Sequence, residues 1–176
     1  MISALEISNL KAGDTYKYSG ELYTARDQAH KLLVEAICSG RRLPIDINGA
    51  VVYYAGPCPA KAGRPIGPVG PTTSGRMDSY SPILIGHGLK IMIGKGPRSE
   101  EVTRAIKKYK GIYFAAVGGA GALLSKCVTS SSIAAFENLG PEAVYRLTVK
   151  DLPLIVAVDS EGRDLYEIGP KFYATK

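Results

Sequence analysis

Residues 56–75 restrict the fold more than any other part of the sequence, because half of them are glycine or proline. Proline fixes φ and lacks an N–H donor, and glycine weakens helices and strands, so no long regular element can form here. The stretch follows AVVYYAG (50–56), a β-branched and aromatic run that predicts a strand. A loop built from both residue types is stiff and can present backbone N–H groups to an anion.

The loop ends in GPTTSGRMD (70–78), which brings hydroxyl and guanidinium groups together. Arg76 can bind a carboxylate through two hydrogen bonds, and Thr72 and Thr73 can donate to or accept from a bound oxyacid. The alternative from local chemistry is structural: one threonine caps a short helix, and Arg76 pairs with Asp78. The residues alone leave both interpretations open.

A second candidate anion site is IGKGPRSE (93–100), where a strand ends and a helix begins. Lys95 lies between two glycines that leave room for a ligand, and the N-terminus of the following helix adds positive potential. The spacing of a Walker A phosphate loop is missing. The alternative is an exposed turn lysine, since most charged side chains are solvated.

The third candidate is YTARDQAHK (23–31), which predicts a helix that opens at Thr24 with a capping box. Arg26 would then lie in the first turn, where the helix dipole disfavours a cation. An anionic ligand or an acidic partner would remove that penalty. His30 shares the face of Arg26, and for both His30 and His87 a structural hydrogen bond is the expected role.

Hydrophobic periodicity predicts one mixed α/β domain, residues 1–176, rather than a doubly wound sheet. Helices are expected from Thr24 to Gly40 and after the cap residue Ser99. They lie between strands in the middle of the chain, whereas strands follow one another at both ends. The predicted strands are ISALEISNL (2–10), TYKYSGELY (15–23), AVVYYAG (50–56), LKIMIG (89–94), GIYFAAV (111–117), AVYRLTV (143–149), LIVAV (154–158) and LYEI (165–168).

The net charge of +6 and the pI near 9.2 permit nucleic acids, anionic metabolites or an acidic partner subunit. The cations do not form a block, and the densest group, Lys107, Lys108 and Lys110, falls at the end of a predicted helix where cations are favoured. A basic face with interleaved aromatic residues is missing from the sequence pattern, so we expect no nucleic-acid partner.

Cys38, Cys58 and Cys127 are far apart and form no C-x-x-C pair, which indicates a reduced, cytoplasmic protein without a metal site of its own. The alternative is that the three thiolates hold an iron–sulfur cluster with one open iron. The N-terminal residues do not resemble a signal peptide, and GIYFAAVGGAGALL (111–124) is too short and glycine-rich to cross a bilayer. We therefore expect no membrane association.

Four segments together resemble the β subunit of the iron–sulfur class I fumarate hydratases and L-tartrate dehydratases: YYAGP (53–57), GPTTSGRMD (70–78), IGKG (93–96) and FENLGPEAVYRLTV (136–149). The resemblance covers nearly the whole chain, and GPTTSGRMD is a specific motif. It implies a swivelling β/β/α domain similar to the mobile domain of aconitase. It also implies reversible dehydration of a 2-hydroxy dicarboxylate, malate or L-tartrate, in a hetero-oligomer whose α subunit holds the [4Fe–4S] cluster through three cysteines.

The same resemblance implies that Arg26, Thr72, Arg76 and Lys95 bind the substrate and that Thr73 is catalytic. The required chemistry agrees, because such a dehydration needs cations for two carboxylates, a base for the C3 proton and a Lewis acid for the hydroxyl. An unperturbed hydroxyl is a weak base, so Thr73 needs an activating group, which we expect to be a carboxylate of the partner. The alternative function is a non-catalytic anion-binding module of a larger complex.

Overall fold

The computed structural model describes residues 3–174, and the ends of the predicted domain (1–2 and 175–176) lie outside that range. The chain forms a mixed α/β structure, which confirms the predicted fold class. Its helices are α1 (Ala4–Asn9), α2 (Asp27–Cys38), α3 (Ser81–Gly86), α4 (Glu100–Tyr109), α5 (Gly121–Leu124) and α6 (Leu165–Tyr173). Its strands are β1 (Thr15–Thr24), β2 (Val51–Tyr53), β3 (Ile91–Gly94), β4 (Ile112–Ala115), β5 (Val128–Ala135) and β6 (Val144–Val158). Short 3₁₀ helices cover Ser74–Met77, Ser125–Cys127 and Glu137–Glu142.

The six strands form one sheet in the order β1-β2-β3-β4-β6-β5, and an additional β1–β6 pairing closes five of them into a ring. Strands β1 to β4 run parallel to one another, whereas β6 runs antiparallel to β1, β4 and β5. The long β6 can join so many neighbours because both of its edges are used. Leu147, for example, pairs with Leu22 of β1 and with Ser131 of β5.

Two hydrophobic clusters divide the faces of the sheet. Alternate strand residues such as Tyr53, Ile93 and Phe114 belong to the cluster that fills the ring. Their neighbours, such as Met92 and Tyr113, pack outward against residues of α2, α3 and α4. Both faces of β2, β3 and β4 are therefore buried, which explains why these strands are continuous apolar runs rather than alternating ones.

The carboxyl ends of the parallel strands place the candidate site residues near one another. Arg26 follows β1, the glycine- and proline-rich loop from Gly56 follows β2, and Lys95 follows β3. Segments that leave parallel neighbours meet at the same edge of a sheet, so these three segments lie side by side.

The first predicted strand, ISALEISNL, is wrong where the structure describes it; Ile2 lies outside the described residues. Its central part is the helix α1, which begins with a capping box. Ser3 Oγ accepts from the Glu6 backbone N–H at 3.2 Å, and a Glu6 carboxylate oxygen accepts from the Ser3 backbone N–H at 2.8 Å. The S-x-x-E spacing carried this signal, and local capping overrides the apparent alternation.

The start of α2 also differs from the prediction. Thr24 is the last residue of β1, and its hydroxyl accepts from the Tyr145 backbone N–H at 3.2 Å instead of capping a helix. The N-cap is Arg26, and the helix ends at Cys38, close to the predicted stop at Gly40. Ser99 caps α4 as predicted, with its hydroxyl 3.4 Å from the Val102 nitrogen.

The C-terminal part contains the largest errors of the sequence prediction. Apart from Ala143, AVYRLTV and LIVAV lie within the single strand β6, because its pairing with β1 shifts register after Val149 and resumes at Leu152. LYEI is the first turn of α6, with the Asp164 carboxylate accepting from the Tyr166 backbone N–H at 2.8 Å. Strand β5 and helix α3 were not predicted. None of the helices formed by residues 3–174 is long and apolar enough to cross a membrane.

Candidate functional site

The backbone of residues 72–74 is hydrogen-bonded to the ends of β2 and β3. The Thr72 N–H donates to the Tyr54 carbonyl at 2.7 Å, and the Ser74 N–H donates to the Lys95 carbonyl at 2.9 Å. Thr73 pairs with Lys95 in a parallel bridge. The predicted site residues Thr72 and Thr73 therefore lie beside Lys95, although more than 20 positions separate Lys95 from them in the sequence.

Ser74 holds Thr72, Thr73 and Lys95 in place through a buried hydroxyl group. Its buried hydroxyl oxygen accepts from the Lys95 backbone N–H at 3.1 Å and from the Tyr113 hydroxyl at 2.9 Å. Burial raises the pKa of Tyr113, which keeps its hydroxyl protonated as a donor. A Cβ atom at Gly94 would lie 2.0 Å from Ser74 Oγ, so only glycine allows β3 to approach the loop this closely.

Asp78 binds Arg98, so the predicted alternative pairing of Asp78 with Arg76 is wrong. Arg98 Nε donates to Asp78 Oδ1 at 2.7 Å, and the other carboxylate oxygen accepts from the Ser99 backbone N–H at 2.6 Å. The Arg98 side chain is completely buried. Asp78 therefore fixes the end of GPTTSGRMD to the start of α4.

Arg98 itself is a structural residue that the sequence analysis did not single out. Its Nη2 donates to the buried Ser81 hydroxyl at 2.7 Å, and its Cζ lies 5.2 Å and 4.9 Å from the ring centroids of Tyr54 and Tyr113. These contacts compensate the burial of its charge. No local sequence signal distinguishes it from the exposed arginines.

Arg76 forms a bidentate ion pair with Asp27, the first residue of α2. Its Nε lies 2.8 Å from Asp27 Oδ1, and its Nη2 also donates to Asp27 Oδ2. The hydrogen bonds from Arg76 lower the pKa of the Asp27 carboxyl group. Half of the Arg76 side chain stays exposed (51%), so the guanidinium is held by Asp27 but not covered by it.

Arg26 is the N-cap residue of α2, not part of its first turn, and it pairs with Glu142. Arg26 Nη2 lies 3.2 Å from Glu142 Oε1, and the second carboxylate oxygen accepts from the Gln28 backbone N–H at 2.9 Å. Glu142 thus removes the penalty that the helix dipole places on a cation there. Gly56 packs against this arginine, since a Cβ atom at position 56 would lie 2.9 Å from Arg26 Cζ.

His30 has the structural role expected of it. Its ring is fully buried, with Nδ1 3.1 Å from the Arg26 carbonyl oxygen, and burial lowers its pKa to about 4. It is neutral at physiological pH, and it supports the backbone of Arg26. His87 Nδ1 likewise lies 2.8 Å from the Ile83 carbonyl.

Lys95 and the two threonines differ from the arginines in their side-chain partners. Within residues 3–174, neither threonine hydroxyl has a hydrogen-bond partner, and Lys95 Nζ forms no ion pair. Thr73 is exposed, whereas Thr72 and Lys95 are half-buried. A Cβ atom at Gly118 would lie 3.5 Å from Lys95 Cδ, an ordinary van der Waals contact, so the Lys95 side chain extends past the segment that follows β4. One cation and two hydroxyls are thus free to contact an anion.

The five candidate residues lie at an exposed edge of the domain. A cleft of about 730 Å³ is lined by residues 42–48 and His87, and none of the five contributes to it. Thr73 and Arg76 are exposed, so they are not enclosed in a pocket of this chain.

The three cysteines do not fit an iron–sulfur cluster. Cys38 and Cys58 are exposed, and Cys127 is half-buried with its Sγ 3.8 Å from the Asp151 carbonyl oxygen. Across the described part of the chain, no three His, Cys, Asp or Glu side chains are grouped so that they could hold a metal ion.

The fold and this edge define the class of protein: a mixed α/β domain with hydroxyl groups and cations at the carboxyl ends of its parallel strands. Residues 1–169 match the model of the Fumarase C-terminus family, and the chain belongs to that family. This confirms the resemblance read from the four sequence segments.

Individual relatives give the same result. The chain is 38% identical over 164 residues to the anaerobic class I fumarate hydratase of Escherichia coli, a match that covers 92% of this chain and 30% of that enzyme. It is 39% identical over 163 residues to fumarate hydratase 2 of Leishmania major, covering 92% of the chain and 29% of the relative. A Methanocaldococcus jannaschii protein assigned as L(+)-tartrate dehydratase subunit beta is 37% identical over 175 residues, covering 96% of this chain and 90% of that protein. The chain thus spans about a third of the fumarate hydratases but nearly all of the separate subunit.

Proposed function

We propose that this chain is the β subunit of a two-subunit, iron–sulfur-dependent hydro-lyase that reversibly dehydrates a 2-hydroxy dicarboxylate. Malate to fumarate is the preferred reaction, and L-tartrate is the alternative substrate. The observation that supports the proposal is the backbone pairing of Thr73 with Lys95. It brings a lysine without an ion-pair partner in residues 3–174 next to two threonines, just before the 3₁₀ helix that carries Arg76.

The side chains of this edge suit the two charges of a dicarboxylate. Lys95 supplies a cation without an internal counterion in the described chain, and Arg76 and Arg26 supply planar groups that bind carboxylates with defined orientation. Thr72 donates a hydrogen bond to the substrate. Thr73, the most exposed hydroxyl of the pair, moves the C3 proton.

Thr73 requires help for this step, because a hydroxyl becomes a proton acceptor only beside a stronger base. No titratable side chain forms a hydrogen bond to Thr73 within residues 3–174. We therefore assign activation of Thr73 to a carboxylate of the α subunit, which would cover the open edge.

The [4Fe–4S] cluster is assigned to the α subunit, where it would act as the Lewis acid for the departing hydroxyl. The scattered cysteines of this chain support that assignment. So does the relative named as a separate β subunit, whose length this chain nearly matches. We also infer a hetero-oligomer in the cytoplasm, with a swivelling β/β/α domain similar to the mobile domain of aconitase.

The test is anaerobic co-expression of this chain with its α subunit, followed by assays of malate, fumarate and L-tartrate. Arg76→Lys should lower kcat/KM about tenfold or more, because an ammonium group cannot replace a bidentate guanidinium and a charged hydrogen bond contributes about 1.5–3 kcal/mol. Arg104→Lys, on the exposed surface of α4 with only a Glu100 partner at 3.2 Å, is the matched control and should leave the rate unchanged.

If the complete complex turns over none of the three compounds, the proposed hydro-lyase activity is refuted. If that complex binds a dicarboxylate without turnover, the chain is instead the non-catalytic anion-binding module. Wild-type kcat/KM in Arg76→Lys would remove this residue from the site.

A further inference from the structure

Four charged side chains alternate in sign at the N-terminus of α2. Asp27 binds Arg76 through both carboxylate oxygens, and Glu142 binds Arg26 at 3.2 Å. Neither acid belongs to the residues expected to contact substrate. Their formal charges cancel those of the two arginines, so the cluster is neutral as a whole.

Both acids are attached to rigid structure. Asp27 is the first residue of α2, and Glu142 accepts a hydrogen bond from the Gln28 backbone N–H at 2.9 Å. The hydrogen bonds that Arg76 donates to Asp27 are the largest cause of the raised pKa of Arg76, and the charge of Glu142 raises it further. Arg76 is therefore bound by the first residue of α2, and Arg26 by a carboxylate that is itself hydrogen-bonded to the first turn of α2.

The geometry at Arg76 leaves one side of the guanidinium for another carboxylate. A guanidinium has five N–H donors, and the pair with Asp27 uses the Nε edge. The Nη1–Nη2 edge can still form a bidentate pair, so Asp27 and an external carboxylate can bind together. Because the Asp27 contact is bidentate, it also fixes the plane of the guanidinium in a side chain that is otherwise half exposed.

Lys95 and the two arginines have different roles, because only the arginines have a carboxylate partner. Lys95 has no ion-pair partner in the part of the chain that the structure describes, so it attracts the dianion. The arginines are already neutralised, so their contribution is orientation.

We propose that Asp27 and Glu142 are positioning residues: Asp27 orients Arg76, and Glu142 orients Arg26, toward the substrate carboxylates. This inference rests on the proposed function. The opposite arrangement, in which Asp27 occupies the place of a substrate carboxylate and competes with it, predicts effects of the opposite sign.

The experiment uses the assembled two-subunit enzyme with Asp27→Asn, which keeps the shape of the side chain and removes its charge. We expect KM for malate to rise about tenfold, which corresponds to about 1.4 kcal/mol, with a smaller change in kcat. Glu142→Gln should act in the same direction. Glu100→Gln, which removes an exposed ion pair with Arg104 on α4, is the matched control and should leave both constants unchanged.

A double-mutant cycle separates positioning from a general structural effect. In an Arg76→Lys background, Asp27→Asn should raise KM by less than about twofold, because the oriented guanidinium is already gone. A merely structural role would produce the full effect in both backgrounds. A lower KM in Asp27→Asn would establish competition and overturn the proposal, as would an unchanged KM.

A binding measurement keeps this inference distinct from the proposed reaction. Calorimetric titration with succinate, a dicarboxylate that cannot be dehydrated, should give a Kd about tenfold weaker in Asp27→Asn than in the wild type. If the wild type binds succinate without malate turnover, the enzyme proposal fails while the Kd ratio still tests the positioning role. Equal Kd values, or no succinate binding by the wild type, would overturn the positioning role.

Discussion

Replacing Gly94 by alanine perturbs the contact that holds the candidate site loop against β3. The added Cβ would lie 2.0 Å from Ser74 Oγ and 3.1 Å from Tyr54 Cδ2. Ser74 is buried and its backbone N–H is bonded to the Lys95 carbonyl, so it cannot move without taking the adjacent threonines with it. The substitution therefore tests the packing that supports the candidate site without changing any of the five candidate residues.

The expected magnitude follows from these contacts. Displacing the Ser74 hydroxyl breaks its bonds with the Lys95 N–H and the Tyr113 hydroxyl, at about 1 kcal/mol each. Overpacking a buried position costs about 1–3 kcal/mol more. We expect the free energy of unfolding to fall by about 3–5 kcal/mol in total, a large part of the stability of an average domain.

Urea unfolding of the wild type and the variant measures this loss. Gly75→Ala is the matched control, because it lies in the same loop and a Cβ there would meet no atom within 4 Å. Ser74→Ala in the Gly94→Ala background should recover part of the loss, since the nearest Ser74 atom is then Cβ at 3.3 Å. The double variant should thus be more stable than the sum of the single effects predicts. Equal stability of the Gly94→Ala and Gly75→Ala variants would show that the loop is not held by this contact.

Three further predictions follow from the same structure. His30→Gln should reduce the rise in the free energy of unfolding between pH 4 and 6.5. Burial lowers the pKa of His30 from 6.5 to about 4, so in this range the unfolded histidine binds a proton that the buried ring does not. At 1.36 kcal/mol per pKa unit the difference is at most about 3 kcal/mol, and parallel stability curves for variant and wild type would contradict it. Arg98→Met should destabilise the fold by about 3–5 kcal/mol in urea unfolding, because it leaves Asp78 without its buried partner; a loss below about 1 kcal/mol would count against that network. The isolated chain should bind no iron after anaerobic reconstitution, and stoichiometric iron by elemental analysis would make the cysteines a ligand set after all.

Local chemistry was sufficient for several elements. Ser99 caps α4, the apolar runs of β2, β3 and β4 are strands, and the loop from Gly56 to Gly75 carries no α-helix or strand. These features depend on residues close together in sequence, through caps, periodicity and the φ preferences of glycine and proline. The motif GPTTSGRMD and its companions were also enough to indicate the family that the comparisons then established.

The ion pairs of the candidate site depend on residues that are far apart in the sequence. Sequence proximity suggested Asp78 as the partner of Arg76, yet Arg76 binds Asp27, which lies 49 positions away, and Asp78 binds Arg98. Nothing local distinguishes these carboxylates, because which of them is near an arginine depends on how β1, β2 and β3 align their ends.

The sequence by itself indicated the family and the glycine- and proline-rich loop, and the resemblance to that family suggested four substrate-binding residues and Thr73 as the catalytic one. Only the tertiary structure decided that β6 is one strand that closes the sheet and that α2 presents Asp27 to Arg76. The physical reason is that pairing along both edges of a strand, and burial of a charge such as that of Arg98, are properties of the assembled sheet. Residue types within a short window do not contain that information, because the neighbours that satisfy them come from distant parts of the chain.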